Sequence, residues 1–197
     1  MTSAIQIYLA SQSPRRSELL RQIGVRFRVL APVVDEAPLP REAPDAYVAR
    51  MARLKAEAAW AHIARRRMKS KAVLAADTAV ILGRRIFGKP ASNAAAVSML
   101  KALSGRTHQV LTAVAIAHEQ RLQLATSVSQ VKFRRLSEAE IVRYVASGEP
   151  RDKAGAYGIQ GLAAAFIARI EGSYSGVMGL PLFETTRLLQ AFGIKVL

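Results

Sequence analysis

The stretch from Ala72 to Leu82 (AVLAADTAVIL) is apolar at every position except Asp77 and Thr78. Its first half, Ala72 to Ala76, has the length of a strand and nothing polar to offer water, so it must be covered by other elements. The apolar pattern resumes at Ala79 and runs to Leu82 before a turn at Gly83. Asp77 therefore reads as an acid at a strand end, where the pattern breaks.

The rest of the chain supplies cover for such a strand by alternating strands with helices. Ile5 to Leu9 reads as a short buried strand, and Ser13-Pro14 offers an N-cap and a first-turn proline for a helix ending near Gly24. Val25, Phe27 and Val29 alternate with Arg26 and Arg28, as in a half-buried strand. A proline-punctuated loop from Pro32 to Pro44 carries Asp35 and Glu36. Tyr47, Met51, Leu54, Ala58 and Ala61 then recur at helical spacing and predict a long helix from Asp45 to about Arg67, on which Trp60 and His62 pack or face solvent.

Further along, Ser92 to Leu103 predicts a helix capped by Ser92 and closed by Gly105, and two long strands from about Thr107 to Arg134 meet near Glu119-Gln120. Ser137 with Glu140 has the pattern of a capping box, opening a helix that Gly148-Glu149-Pro150 ends. A glycine-rich loop from Ala154 to Gly161, a strand from Leu162 to Ile170, a second glycine-rich turn and a helix from Pro181 to Phe192 complete the order. With no repeat and no long linker, the pattern is α/β with a mixed sheet.

Composition narrows the chemistry. The chain has 197 residues, enough for one domain or two closely packed lobes, with 51% hydrophobic and 22% charged residues, as in a globular protein. It contains no cysteine, which rules out disulfides, thiolate nucleophiles and Cys-ligated zinc, so any metal must sit on oxygen or His ligands. The opening MTSAIQIYLASQSPRR lacks the basic and apolar regions of a secretion signal, and no apolar run approaches the ~20 residues that span a bilayer. A cytoplasmic location without membrane attachment is the expectation.

Twenty-nine Lys and Arg against fourteen Asp and Glu give a formal charge of +15, which favours anionic partners of any kind. The densest run, Arg65 to Lys71 (RRRMKSK), has no interleaved aromatics and coincides with the end of the predicted long helix. It reads as a solvated last turn favoured by the helix dipole, with nucleic-acid binding as the alternative.

Three constellations could carry chemistry. LASQSPRRSELL places the hydroxyls of Ser11 and Ser13, two guanidiniums and a helix start directly after a strand, which suits a phosphate; the plainer reading is a capped helix with surface arginines. Asp35-Glu36 and Asp77 are short acids able to hold a hard divalent cation beside a phosphate chain, or they are simply solvated. Lys55 and Lys89 could neutralise phosphate oxygens or face water. In RDKAGAYGIQG, the glycines imply unusual backbone or close approach to a ligand, and Gln160 could meet a base edge or brace a tight loop. His108 and His118 have no partners at metal spacing and receive no role.

Taken in order, SQSPRRSELL, Val34-Asp35-Glu36, Ala76-Asp77-Thr78, Gly88-Lys89-Pro90, Leu103-Ser104-Gly105, YVASGEP, Ala154 to Gly161 and Val177 to Pro181 resemble the Maf-like nucleotide pyrophosphatases across nearly the whole chain. The resemblance implies a single Maf-like pyrophosphatase domain over residues 1–197. Its fold would be a two-lobed mixed sheet flanked by helices, similar to the inosine triphosphate pyrophosphatases, with a substrate cleft between the lobes. It implies hydrolysis between the α- and β-phosphates of a nucleoside triphosphate with a divalent cation, Mg²⁺ or Mn²⁺, as cofactor, and raises a homodimer as an expectation.

Carried over by position, Ser11, Arg15 and Arg16 would hold phosphates, Glu36 and Asp77 would act at the metal, Asp77 would also accept the proton of the attacking water, and Lys55 and Lys89 would complete the phosphate cage. Arg15 after Pro14, Thr78 after Asp77, and Gln160 together resemble the dTTP/UTP branch. The 7-methyl-GTP branch tends to carry a bulky aromatic, a Gln and a Glu at the matching places. Gln12 stands where a small residue is usual, Leu54 replaces a charged residue before Lys55, and the Gly83 to Phe87 turn is unusually basic. The competing readings are a 7-methyl-GTP pyrophosphatase and a basic nucleic-acid-binding regulator of septum formation without catalysis. The latter would not need acids beside its cations.

Overall fold

The computed structural model describes residues 5–196. Seven strands pair in one mixed sheet in the order β2-β1-β3-β5-β6-β7, with β4 paired to β3 off this path. β1 (Ile7–Leu9) runs parallel to both β2 (Phe27–Val29) and β3 (Val73–Leu82), whereas β4 (Arg85–Phe87) is antiparallel to β3. β5 (Thr107–His118) and β6 (Arg121–Phe133) form a hairpin turned at Glu119, whose φ is 54°, and β7 (Ile167–Glu171) pairs antiparallel with β6. The α/β class and the mixed sheet flanked by helices are as the sequence predicts.

The chain divides into two compact units, one made of the described residues up to Asp77, Thr112–Ser127 and the segment from Gly179 on, the other of Thr78–Leu111 and Val128–Met178. In the first, Ile7, Leu9, Val73 and Leu74 of the strands are buried, as are Leu19 and Leu20 of α1 (Pro14–Gln22) and Val48, Met51, Ala52, Ala56, Ala59 and Ile63 of α2 (Pro44–Arg65). In the second, Val80, Phe87, Val131 and Phe133 of the strands pack with Leu100 and Leu103 of α3 (Asn93–Leu103) and Ile141, Tyr144 and Val145 of α4 (Glu138–Ala146). α5 (Tyr174–Met178) closes the second unit and α6 (Leu182–Ala191) belongs to the first.

The helix signals hold well. Ser92 accepts from the Ala95 N–H, and Ser137 and Glu140 complete both halves of a capping box. Four expectations are corrected. Asp77 does not end a strand: β3 continues through it, since a single buried acid leaves the backbone ladder intact. The buried face of α2 is turned from the expected stripe, keeping only Met51 of it. Ala52, Ala56 and Ala59 face inward because small side chains allow close approach, while Leu54 and Ala58 instead line a cavity of about 530 Å³ with Val34, Pro38 and Leu39. β2 is an edge, so Val29 is 47% exposed. Leu162–Phe166 is a 3-10 helix rather than strand, because Ala164 N–H turns back onto the Gly161 carbonyl and strand pairing starts only at Ile167. α5 has no counterpart among the sequence expectations. Among the described residues no helix is long and apolar enough to cross a membrane.

Candidate functional site

β1 ends at Leu9, and two residues on, Ser11 turns its hydroxyl inward to hold the loop that enters α1. Its Oγ accepts from the Ser13 N–H at 3.2 Å and from Arg16 Nη1 at 3.0 Å. Arg16 Nε donates to the Gly179 carbonyl at 2.8 Å, so two anchors fix the guanidinium. Burial lowers the Arg16 pKa, with the negative charge of Asp77 opposing this and the positive charge of Arg15 reinforcing it; Glu36 opposes it further. A desolvated guanidinium next to an Arg favours an incoming anion such as a phosphate oxygen. Ser13 occupies the N-cap of α1, with Pro14 in the first turn, but its side chain makes no cap bond.

The acids come together on Lys55. Its Nζ lies 2.7 Å from Asp77 Oδ1 and 2.7 Å from Glu36 Oε1, so one ammonium joins two carboxylates from distant segments and offsets their mutual repulsion. Lys55 and Asp77 are largely enclosed, with side chains 13% and 12% exposed, while Glu36 is 51% exposed. Thr78 follows Asp77 in β3 and is half-buried; strand alternation sends its side chain to the opposite face.

The Glu36 loop is braced by two residues of α2 for which the sequence implied no part in the site. Tyr47 Oη donates to the Glu36 carbonyl at 3.0 Å, and Arg50 Nη2 donates to the Ala37 carbonyl at 3.0 Å. Arg50 also pairs through two nitrogens with both Glu42 oxygens, each at 2.6 Å, and Glu42 accepts from the Leu39 N–H. The Arg50 hydrogen bonds hold the Glu42 carboxyl down at about 2, helped by Leu39. Burial and then the charges of Asp77 and Glu36 push the Tyr47 hydroxyl up to about 12, keeping it a neutral donor. Tyr47 and Arg50 lie three residues apart on α2, with the guanidinium 5.7 Å from the ring. That spacing was legible, but its use in bracing a loop eight or more residues upstream was not.

The first unit thus gathers Ser11, Arg16, Glu36, Lys55 and Asp77, with Arg15 acting on Arg16 through its charge. Lys89 and Gln160 belong to the second unit, where both are exposed. The two are linked there through backbone: the Gly155 N–H donates to the Gly88 carbonyl at 3.1 Å, tying the turn before Lys89 to the loop that carries Gln160. Asp35 accepts from the Ala37 N–H and serves its own turn.

Among the described residues no three His, Cys, Asp or Glu gather as a metal cage. Two converging carboxylates, one of them half-exposed, fit a hard cation that keeps water and phosphate oxygens in its shell, as Mg²⁺ does. Glu36 and Asp77 are the residues that could hold it.

Comparison with known proteins bears on what this arrangement serves. The Maf-like protein family matches residues 6–192. A dTTP/UTP pyrophosphatase of Albidiferax ferrireducens is 54% identical over 196 residues, covering 96% of this chain and 98% of that protein. One from a Polaromonas species is 52% identical over the full length of both. The Staphylococcus aureus Ham1 protein superposes with a TM-score of 0.47 at 16% identity, covering 95% of this chain and 97% of that one. With a family match over nearly its whole length and relatives more than half identical to it, this chain belongs to the Maf-like protein family.

Proposed function

We propose that this protein hydrolyses dTTP and UTP to the nucleoside monophosphate and pyrophosphate. The observation that carries the reading is the convergence of Glu36 and Asp77 on Lys55, in the same unit as the anchored Arg16. Anionic and cationic groups side by side suit a polyphosphate and its counter-cation, whereas a nucleic-acid binder needs only the cations. Relatives at 52–54% identity over nearly the full chain carry the dTTP/UTP pyrophosphatase name, which favours the pyrimidine reading over 7-methyl-GTP.

In this mechanism Arg15, Arg16 and Lys55 hold phosphate oxygens, with Ser11 setting the Arg16 guanidinium. Glu36 and Asp77 would hold a divalent cation, which would supply further neutralisation of the phosphate chain. Asp77 takes a proton from water as the water oxygen bonds to the α-phosphorus. The bond from that phosphorus to the bridging oxygen breaks, and its electron pair leaves with pyrophosphate. The parts of Lys89, Thr78 and Gln160, as phosphate, site and base contacts, rest on the family resemblance. A cytoplasmic location goes with a nucleotide substrate, a homodimer with the family, and we assign no specific nucleic-acid partner.

The test is pyrophosphate release from dTTP, UTP, GTP and 7-methyl-GTP with Mg²⁺ or Mn²⁺, for wild type and Asp77→Asn. Turnover of dTTP and UTP that falls at least ~10²-fold in the variant, which still folds and unfolds cooperatively, is the expected result. No release by the wild type, or near-normal release by Asp77→Asn, refutes the assignment.

A further inference from the structure

Gln160 lies at an exposed corner of the second unit, yet the backbone on both sides of it is held from a distance. The Gly161 N–H closes a turn onto the Gly158 carbonyl at 3.1 Å, with Gln160 inside it. Tyr144 of α4 reaches one end of this turn: its hydroxyl accepts from the Gly158 N–H at 3.3 Å and donates to Glu149 Oε1 at 2.8 Å. Glu149 reaches the other end, where Oε2 accepts from the Leu162 N–H at 2.8 Å. One hydroxyl and one carboxylate thus form a relay gripping the chain two residues before and two residues after Gln160.

The fit is tight. A Cβ on Gly161 would overlap the Glu149 carboxylate, and one on Gly158 would sit 2.7 Å from Lys153 Cε, so a side chain at either position would push Glu149 or Lys153 aside. Lys153 Nζ in turn donates to the Glu149 carbonyl at 2.6 Å and to Asp152 at 2.8 Å. Tyr144 is buried and stacks edge-on against Phe166 at 5.1 Å, so the relay starts from fixed ground. Burial and then the Glu149 hydrogen bond raise the Tyr144 pKa, keeping its hydroxyl a donor. Beside them, the buried residues Tyr157 and Ile159 root the loop.

We propose that Tyr144 and Glu149 are positioning residues for base choice: they set the Gly158–Gly161 turn and thereby the direction in which the Gln160 amide is presented to a pyrimidine. An amide answers a pyrimidine's adjacent acceptor and donor only if its own two ends are oriented to match, so a turn free to rock would lose discrimination before it lost catalysis. The inference rests on the pyrophosphatase reading and on Gln160 facing the base.

The experiment uses Glu149→Gln and Tyr144→Phe, each alone and combined with Gln160→Ala, with kcat and KM measured for dTTP, UTP and GTP. Glu149→Gln keeps the side-chain size but has one acceptor oxygen for two donors; Tyr144→Phe keeps the ring and loses the relay. Each single variant lowers the pyrimidine-to-guanine ratio of kcat/KM about fivefold to tenfold, the scale of one net hydrogen bond, chiefly through KM for dTTP and UTP. In the Gln160→Ala background neither change moves that ratio further. A ratio that stays at the wild-type value in both variants, falls equally with and without Gln160, or reflects equal losses on all three nucleotides overturns the proposal. Gln160→Ala with wild-type selectivity overturns it as well, by removing Gln160 from base reading. A wild type that releases no pyrophosphate from any nucleotide refutes the proposed function itself, which is distinguishable from an active enzyme indifferent to its clamp.

Discussion

Lowering the pH should weaken this protein through His108, a residue with no part in the proposed chemistry. His108 is 2% exposed, with its ring edge-on to Phe133 at 5.0 Å and to Tyr157 at 5.4 Å. Its Nε2 lies 2.8 Å from the Tyr157 hydroxyl, and its Nδ1 is buried without a partner among the described residues. Burial lowers its pKa from 6.5 to about 4. As the pH falls, the unfolded chain therefore takes up this proton first, so the neutral ring's contribution is fully present above about 6.5 and is lost toward 4.

Between pH 7.5 and 4.5 the loss from this one group is roughly 2–3 kcal/mol, since each tenfold difference in proton affinity between the folded and unfolded chain is worth ~1.4 kcal/mol. His108→Phe removes the titration while leaving the Tyr157 hydroxyl unpaired, a cost of ~1–3 kcal/mol that does not depend on pH in this range. Urea unfolding of both proteins at pH 7.5, 6.5, 5.5 and 4.5 separates the two effects. The wild type should be the more stable at pH 7.5, and its advantage should shrink by roughly 2–3 kcal/mol at pH 4.5, to near zero or below. Curves that stay parallel from pH 7.5 to 4.5 would mean that His108 titrates alike in both states and that burial does not depress its proton affinity.

Gly155 has φ +69°, and a Cβ there would lie 2.9 Å from Val80 Cγ2, whereas Gly148 has φ +78° with open space around it. In thermal or urea unfolding, Gly148→Ala should cost only the ~1–2 kcal/mol of left-handed backbone, and Gly155→Ala a further ~1–3 kcal/mol of overpacking; equal costs would refute the steric part. Lys55→Met leaves Asp77 and Glu36 facing each other without their shared ammonium. It should abolish turnover and cost roughly 1–3 kcal/mol of stability, less than a fully buried pair because Glu36 is half-exposed. Adding Asp77→Asn should recover part of that stability, and a strictly additive double variant would show that the three groups are uncoupled.

Local signals survived folding wherever the deciding physics is local. Ser92, the Ser137–Glu140 capping box and the left-handed glycines at 105 and 148 were legible because caps and turns depend on the few residues that make them. The motifs SPRR, VDE and ADT were also legible, and with them the family. Which face of α2 is buried was not, because alanines and larger apolar residues compete for the interior and only the neighbouring surface decides between them. Nor could spacing show that Glu36, Lys55 and Asp77 meet, since Lys55 stands nineteen residues from one acid and twenty-two from the other, and the 2.7 Å contacts exist only once loop, helix and strand are packed. The same holds for Tyr144, Glu149 and His108: their hydrogen bonds run to backbone or hydroxyl groups 14, 13 and 49 residues away. Tertiary packing alone turned them into supports for a loop whose glycines the sequence had already marked.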